Sequence, residues 1–294
     1  MSRFARFCML AIFTCIGLHL CPFGLAPASA STSVPLRILN GNILIVSMGV
    51  NGRGPYDFVL DTGTNTSQVE PELAASLQLH PVDRIALSTL TGSAPLPRYI
   101  VDLVSIGKAD IPHVEMLSQA LPALHRLDGN IQGILGLNAL REFSFRIDNN
   151  SKRLDLFIDE PLPHFSKSKR VAVQVAQDRI VVPVFAEAAI GGVWKLELDS
   201  GVSQVIVFGE KISGTKRGNT ATIRITTTSP QSSAATLRNE NFEVGLARFS
   251  NFPVVVFGAK AAPPPPGEDG LLPVSLFRSV FFDRTTSSLF FEAK

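Results

Sequence analysis

Short apolar segments separated by turn-forming residues recur along the chain from Pro35 onward. Residues 43–46 form one such segment, and their branched side chains are typical of a buried strand. Asn51-Gly52 comes next and favours a tight hairpin, because both residues tolerate positive φ angles. Residues 58–60 then resume the strand pattern. The spacing predicts a fold built mainly of β-strands.

Further hairpins and only short helices are expected in the rest of the chain. Hairpin turns are predicted at Thr91-Gly92-Ser93 within residues 87–104, at Asn149-Asn150, and within the Ser/Thr-rich residues 220–233. Residues 71–77, which begin with a proline, and residues 138–141 have the pattern of short helices. The four prolines at 263–266 predict an extended polyproline spacer. The fold class is therefore all-β with a few short helices.

The pattern of the first half of the chain returns in the second half. An apolar segment begins 18 residues before Asp61, and another begins 18 residues before Asp199. Gly133 lies 72 residues after Asp61, and Gly270 lies 71 residues after Asp199. Several features in one order at nearly one spacing indicate a duplicated domain.

Residues 159–170 interrupt this pattern with two prolines and a basic cluster, which is typical of an exposed linker. The interruption predicts an N-terminal lobe over residues 31–158 and a C-terminal lobe over residues 171–294. Each lobe is close to the common size of a domain, about 100–150 residues.

Residues 1–30 have the composition of a secretory signal. Arg3 and Arg6 precede an apolar stretch, and Ala28-Ser29-Ala30 offers a small-residue cleavage site. The apolar stretch is shorter than the roughly 20 residues of a membrane span, which favours a cleaved signal. An uncleaved membrane anchor is the weaker alternative. We expect export to the periplasm or the medium.

Composition narrows the range of functions. Cleavage after residue 30 would remove all three cysteines, leaving no disulfide and no thiol nucleophile. Lys+Arg would fall from 27 to 25, equal to Asp+Glu, so charge gives no reason to expect a nucleic-acid partner. The histidines lack the spacing of metal ligands, and we expect neither a metal nor another cofactor.

Each half of the chain carries an Asp that directly follows an apolar strand. The two segments are Leu60-Asp61-Thr62-Gly63-Thr64 and Leu198-Asp199-Ser200-Gly201-Val202. Two carboxyl groups held within a few Å cannot both ionise cheaply, so they share a proton. The ionised carboxylate can take a proton from water while the protonated one donates to a carbonyl oxygen, which allows peptide hydrolysis without a metal.

These motifs, together with Ile134-Leu135-Gly136, resemble those of the aspartic peptidase superfamily, both retroviral-type and pepsin-like. The resemblance implies two homologous β-barrel-like lobes around a cleft that binds an extended polypeptide substrate. It implies catalysis by Asp61 and Asp199 and support of the pair by neighbouring residues. The expected support is Thr62, Gly63 and Thr64 in the first lobe and Ser200 and Gly201 in the second. A hairpin near Gly92 is expected to cover the substrate. One chain supplies both motifs, so a monomer is expected, and which Asp is the base stays open.

Three departures from the family pattern keep a second interpretation open. Pro273 stands where the second lobe should have its glycine, and Val202 replaces a hydroxyl or small residue. No tyrosine lies clearly at a flap tip, since Tyr99 belongs to the returning strand. The alternative is a catalytically inactive module that binds peptide in the same cleft; a structural envelope protein has only the signal in its favour.

Overall fold

The computed structural model describes residues 32–89, 92–158, 170–212, 221–226, 232–258 and 267–294. The predicted signal (1–30), nearly all of the predicted linker (159–169) and the prolines 263–266 lie outside these residues. Within them, no helix has the length and apolar character needed to cross a membrane.

The first lobe is a mixed eight-stranded sheet whose ends approach each other, because strand β3 pairs with both β4 and β7. The strand order is β2-β3-β4-β9-β5-β8-β7-β6. Three short helices, α1 (Pro71–Ser76), α2 (Pro122–His125) and α3 (Leu137–Leu140), lie between strands. The strands are β2 (Arg37–Leu39), β3 (Ile43–Val50), β4 (Arg53–Leu60), β5 (Ser67–Val69), β6 (Asp83–Thr89), β7 (Gly92–Ile106), β8 (Ala109–Ser118) and β9 (Ile131–Leu135).

The second lobe repeats this arrangement position for position. Its strand order is β13-β14-β15-β20-β16-β19-β18-β17, and β14 pairs with both β15 and β18. The strands are β13 (Gln174–Ala176), β14 (Arg179–Ala186), β15 (Val193–Asp199), β16 (Val205–Phe208), β17 (Ala221–Thr226), β18 (Ser232–Val244), β19 (Ala247–Phe257) and β20 (Gly270–Pro273). Short 3-10 helices occupy Gly209–Lys211 and Val274–Leu276. The expected all-β, two-lobed fold is confirmed.

A third sheet, which the sequence did not predict, joins the two lobes. Its six strands come from both halves in the order β1-β11-β10-β21-β22-β12. The halves meet where β10 pairs antiparallel with β21, with Phe145 opposite Phe282. Arg170, which we placed in the linker, instead begins a strand and pairs with Phe290. The strands are β1 (Thr32–Pro35), β10 (Ser144–Asp148), β11 (Arg153–Phe157), β12 (Arg170–Ala172), β21 (Phe277–Asp283) and β22 (Ser288–Ala293).

The local turn chemistry agrees with the sequence pattern. Asn51 and Gly52 have φ angles of 49° and 71° and join β3 to β4 as a tight hairpin. Asn149-Asn150 lies between β10 and β11, and β6 pairs with β7 up to Thr89 opposite Gly92. Helix α2 was not predicted, although Pro122 in its first turn is the same start signal as Pro71 in α1.

Strand alternation creates two apolar clusters on the two faces of each lobe's sheet. In β4, Phe58 and Leu60 belong to the main core, which extends through both lobes. Val59 points to the opposite face and packs in a small cluster that includes Ile45 and Ile134. Residues anchored on both faces hold the end of β4 firmly, and Asp61 follows directly.

Candidate active site

The two motif aspartates are placed by equivalent strand pairs. In the first lobe β4 and β9 run parallel with Leu60 beside Leu135, and the Asp61 amide donates to the Leu135 carbonyl at 3.0 Å. In the second lobe β15 and β20 run parallel with Leu198 beside Leu272. Each Asp therefore leaves a rigid central strand rather than a free loop.

Four buried hydrogen bonds connect the two Asp loops. The Thr62 hydroxyl donates to the Leu198 carbonyl (2.9 Å) and accepts from the Ser200 amide (3.0 Å). The Ser200 hydroxyl donates to the Leu60 carbonyl (2.8 Å) and accepts from the Thr62 amide (2.9 Å). This reciprocal set holds the two loops in register.

The motif glycines let the loops approach each other closely. The Gly63 amide donates to Asp61 Oδ1 at 3.0 Å, and the Gly201 amide donates to Asp199 Oδ1 at 2.6 Å. A Cβ at Gly201 would lie 2.8 Å from the Asp61 carboxyl group. A Cβ at Gly63 would overlap the Asp199 carboxyl group. Each glycine thus faces the opposing carboxylate, with no room for a side chain.

The carboxyl groups of Asp61 and Asp199 lie within hydrogen-bonding reach of each other. Burial raises the pKa of Asp61, while hydrogen bonds from Gly63 and Asp199 oppose the rise. Burial raises the pKa of Asp199 well above its usual range, and the charges of Asp61 and Glu197 raise it further. The pair therefore retains a proton to higher pH than free aspartates do.

The loop that follows each Asp, around Thr64 in the first lobe and Val202 in the second, is supported differently in the two lobes. In the first lobe the Gly136 amide donates to Ser67 Oγ (3.0 Å), and Ser67 Oγ donates to Asn138. Thr64 Oγ1 makes a local bond to the Thr66 carbonyl at 3.2 Å. Gly136 itself packs against the Thr64 backbone.

In the second lobe the corresponding Pro273 has no amide to donate, yet it stays in register beside Asp199. Val202, which replaces the hydroxyl residue, packs against an apolar cluster containing Ile206 and Leu271. The strand pairing beneath the second Asp is therefore retained, and apolar packing replaces the polar support.

The other residues singled out in the sequence occupy separate places. Gly92 begins β7 at the end of the predicted covering hairpin, whose tip, residues 90–91, lies outside the described residues. Tyr99 lies on the returning strand, as expected. Asp148 and Asp283 accept amide hydrogens within their own turns and are turn residues. Among the described residues no group of three His, Cys, Asp or Glu side chains is arranged to hold a metal.

Sequence reasoning overlooked Glu197. It lies two residues before Asp199, is 2% exposed, and ion-pairs with Arg179. Burial raises the pKa of Glu197 to about 8, and the charges of Glu268 and Asp61 act in the same direction, while Arg179 opposes them. Alignment of the two repeats could have revealed it, because an apolar Val59 occupies the same position before Asp61.

Comparisons with known proteins give a family match over part of the chain and a similar fold. A family model described as aspartyl protease matches residues 46–139, which include the Asp61 motif and Ile134-Leu135-Gly136 but not Asp199. A search of curated proteins finds no match. Among solved structures, the aspartic proteinase from Irpex lacteus is similar, with a TM-score of 0.50 and 12% identity over 90% of this chain and 98% of that one. At this identity the likeness concerns the fold.

Proposed function

We propose that this chain, which its family match and its fold assign to the aspartic peptidase superfamily, is an endopeptidase that hydrolyses peptide bonds with water activated by Asp61 and Asp199. The observation that carries the proposal is the junction of the two loops. Four buried hydrogen bonds between the Thr62 and Ser200 loops hold the two Asp loops together, with the carboxyl groups of Asp61 and Asp199 within hydrogen-bonding reach.

The chemistry proceeds in two steps on a water held between the carboxyl groups. In the first, the ionised carboxylate takes a proton from water, the water oxygen bonds to the peptide carbon, and the other carboxyl donates its proton to the carbonyl oxygen. In the second, the C–N bond of the tetrahedral intermediate breaks. The nitrogen takes the proton that came from water, and a hydroxyl of the intermediate returns a proton to the second carboxyl. One water is consumed and the pair is restored.

The surroundings support a division of roles within the pair. Asp199 is 5% exposed and faces the additional carboxyl of Glu197, so its ionised form is the less favourable one. Asp61 is less buried, and contact with Asp199 favours its ionised form. We assign Asp61 as the general base and Asp199 as the general acid of the first step.

The proposed substrate is an extended polypeptide lying between the lobes beneath the hairpin that contains Gly92. Both carboxyl groups come from one chain, which supports action as a monomer. Thr64 and the two motif glycines support the pair without touching the scissile bond. The predicted signal at residues 1–30 leads us to propose that the enzyme acts after export, in the periplasm or the medium; an anchor that remains uncleaved would keep it at the membrane.

The test is hydrolysis of a peptide library between pH 3 and pH 8 by wild type, Asp61→Asn and Asp199→Asn, with products identified by mass spectrometry. Asp148→Asn is the matched control, because Asp148 serves a turn. We expect cleavage by wild type and the control and a loss of about 10³-fold or more in kcat/KM in each active-site variant. Equal cleavage by all four proteins would refute the proposal.

A peptide-binding module without turnover is the second candidate. Pro273 and Val202 favour it, because they remove polar support from the second Asp loop. Its signature would be binding of ordinary peptides that Asp61→Asn and Asp199→Asn leave unchanged, with no cleavage in the library. Restoring the first-lobe residues with Val202→Thr and Pro273→Gly would then not generate activity.

A further inference from the structure

A second group of buried charges lies on the strand that delivers Asp199. Successive residues of a strand alternate between faces, so Glu197 and Asp199 in β15 share one face at a spacing of about 7 Å. Glu197 is 2% exposed and Glu268, just before β20, is 5% exposed. Carboxyl groups are rarely buried to this extent without a compensating charge.

Arg179 at the start of β14 supplies a single compensating charge. Its Nη1 lies 3.4 Å from Glu197 Oε2 and within 2.9 and 3.1 Å of the two Glu268 oxygens. Glu197 Oε1 is buried and has no hydrogen-bond partner among the described residues. One guanidinium therefore faces two carboxyl groups, so the group carries either an extra proton or an extra negative charge.

The first lobe shows that the fold does not need these charges. Val59 occupies the place of Glu197 two residues before Asp61, and Ile131 corresponds to Glu268 in the strand order. Both pack in the small apolar cluster on that face. An apolar pair fills the space in one lobe, so the second lobe carries Glu197, Glu268 and Arg179 for a reason other than packing.

We propose that Glu197 is a positioning residue for the Asp61–Asp199 pair: once Glu197 ionises on the alkaline side, its carboxylate, held with Glu268 and Arg179 behind Asp199, keeps the shared proton on Asp199. The inference rests on the proposed function, since it concerns the proton that the general acid donates. Both Asp61 and Glu197 raise the pKa of Asp199, consistent with this arrangement. Only the second lobe contributes such a carboxyl group, so Asp61 and Asp199 have different electrostatic surroundings.

The remaining charged groups near Glu197 do not replace this effect. Lys195, two residues earlier on β15, is exposed, and its amide donates to Asp269 at 2.9 Å. Asp269 lies 3.5 Å from the ammonium group of Lys211. The groups that face Glu197 are therefore Arg179, Glu268, Asp199 and, across the lobes, Asp61.

The experiment compares the dyad's titration in wild type, Glu197→Gln and Arg179→Gln. Glu197 carries its charge only as the pH approaches 8, so Glu197→Gln should lower the upper apparent pKa of kcat/KM by roughly one pH unit and leave the acidic limb unchanged. Removing the guanidinium in Arg179→Gln should raise the same apparent pKa. Glu243→Gln, which removes an exposed carboxyl paired with Arg248, is the control and should leave the limb unchanged. Opposite shifts from two substitutions in one cluster are not expected from general disruption of the structure.

A readout independent of turnover separates this inference from the proposed function. Carbon-13 NMR of aspartate-labelled protein follows the Asp61 and Asp199 carboxyl carbons, which Asp61→Asn and Asp199→Asn identify. The higher of the two carboxyl pKa values should fall in Glu197→Gln and rise in Arg179→Gln, by the amounts expected for the upper apparent pKa of kcat/KM. These shifts should be seen even if no peptide is cleaved. Unchanged titration and rate profiles in folded Glu197→Gln would overturn the inference. If Glu197→Gln does not fold, an upper apparent pKa that is unchanged or lower in Arg179→Gln would overturn the inference.

Discussion

Replacing Thr62 by valine tests the brace between the lobes with almost no change in side-chain volume. The Thr62 hydroxyl donates to the Leu198 carbonyl at 2.9 Å and accepts from the Ser200 amide at 3.0 Å, and Thr62 is completely buried. Valine fills the same space but leaves both backbone groups without their partner. An unsatisfied buried polar group costs about 1–3 kcal/mol, so Thr62→Val should lose about 2–5 kcal/mol of unfolding free energy.

This loss is a large fraction of the roughly 5–15 kcal/mol by which folded proteins are usually stable. Urea unfolding measures it, and Trp194, the single tryptophan, is buried in the second lobe and provides the fluorescence signal. Ser200→Ala should behave similarly, because it removes the other two cross-lobe bonds.

Thr285→Val is the control, since Thr285 is exposed and its substitution should change stability by less than about 0.5 kcal/mol. A Thr62→Val protein as stable as this control would refute the reasoning that the hydroxyl holds the lobes together.

Three further predictions concern Gly201, Glu197 and Asp283. Gly201→Ala should lower kcat/KM about 100-fold by displacing the Asp61 carboxyl, which would lie 2.8 Å from the new methyl group, whereas Gly129→Ala, with open space around it, should not. Burial raises the pKa of Glu197 from 4.5 to about 8, so its contribution to stability is complete below pH 4.5 and is lost as the pH rises towards 8. Urea unfolding should therefore show Glu197→Gln gaining about 2–4 kcal/mol on wild type between pH 5 and pH 8, and a constant difference would contradict this. Asp283→Ala should cost about 1–3 kcal/mol through its turn bonds to the amides of residues 285 and 286 while leaving kcat/KM unchanged; a fall in kcat/KM would contradict its assignment as a turn residue.

The repeated Asp motif made the architecture predictable, because its flanking strands and turns recur at nearly constant spacing. Asn51-Gly52 marked a hairpin through its tolerance of positive φ, and the two lobes do share one strand order. The joining sheet was not predictable in this way. Phe145 and Phe282 pair across more than a hundred residues, and alternation along either strand carries no information about its distant partner.

The candidate site was predictable where a residue type performs a local task and not where its role comes from tertiary contacts. Thr62 and Ser200 were recognisable because each follows an Asp at a strand end. Glu197 was not, because a lone Glu in an apolar strand has the pattern of an outward-facing residue. Only its burial beside Arg179 and Glu268, which are distant from it in sequence, reveals the buried charge cluster behind Asp199.

Calorimetric titration with a statine-containing peptide, which mimics the tetrahedral intermediate, tests most directly whether the two lobes build one shared site. One molecule should bind per chain, with the affinity reduced at least about 100-fold by Asp61→Asn and equally by Asp199→Asn. Two bound molecules per chain, or full affinity after either substitution, would contradict it.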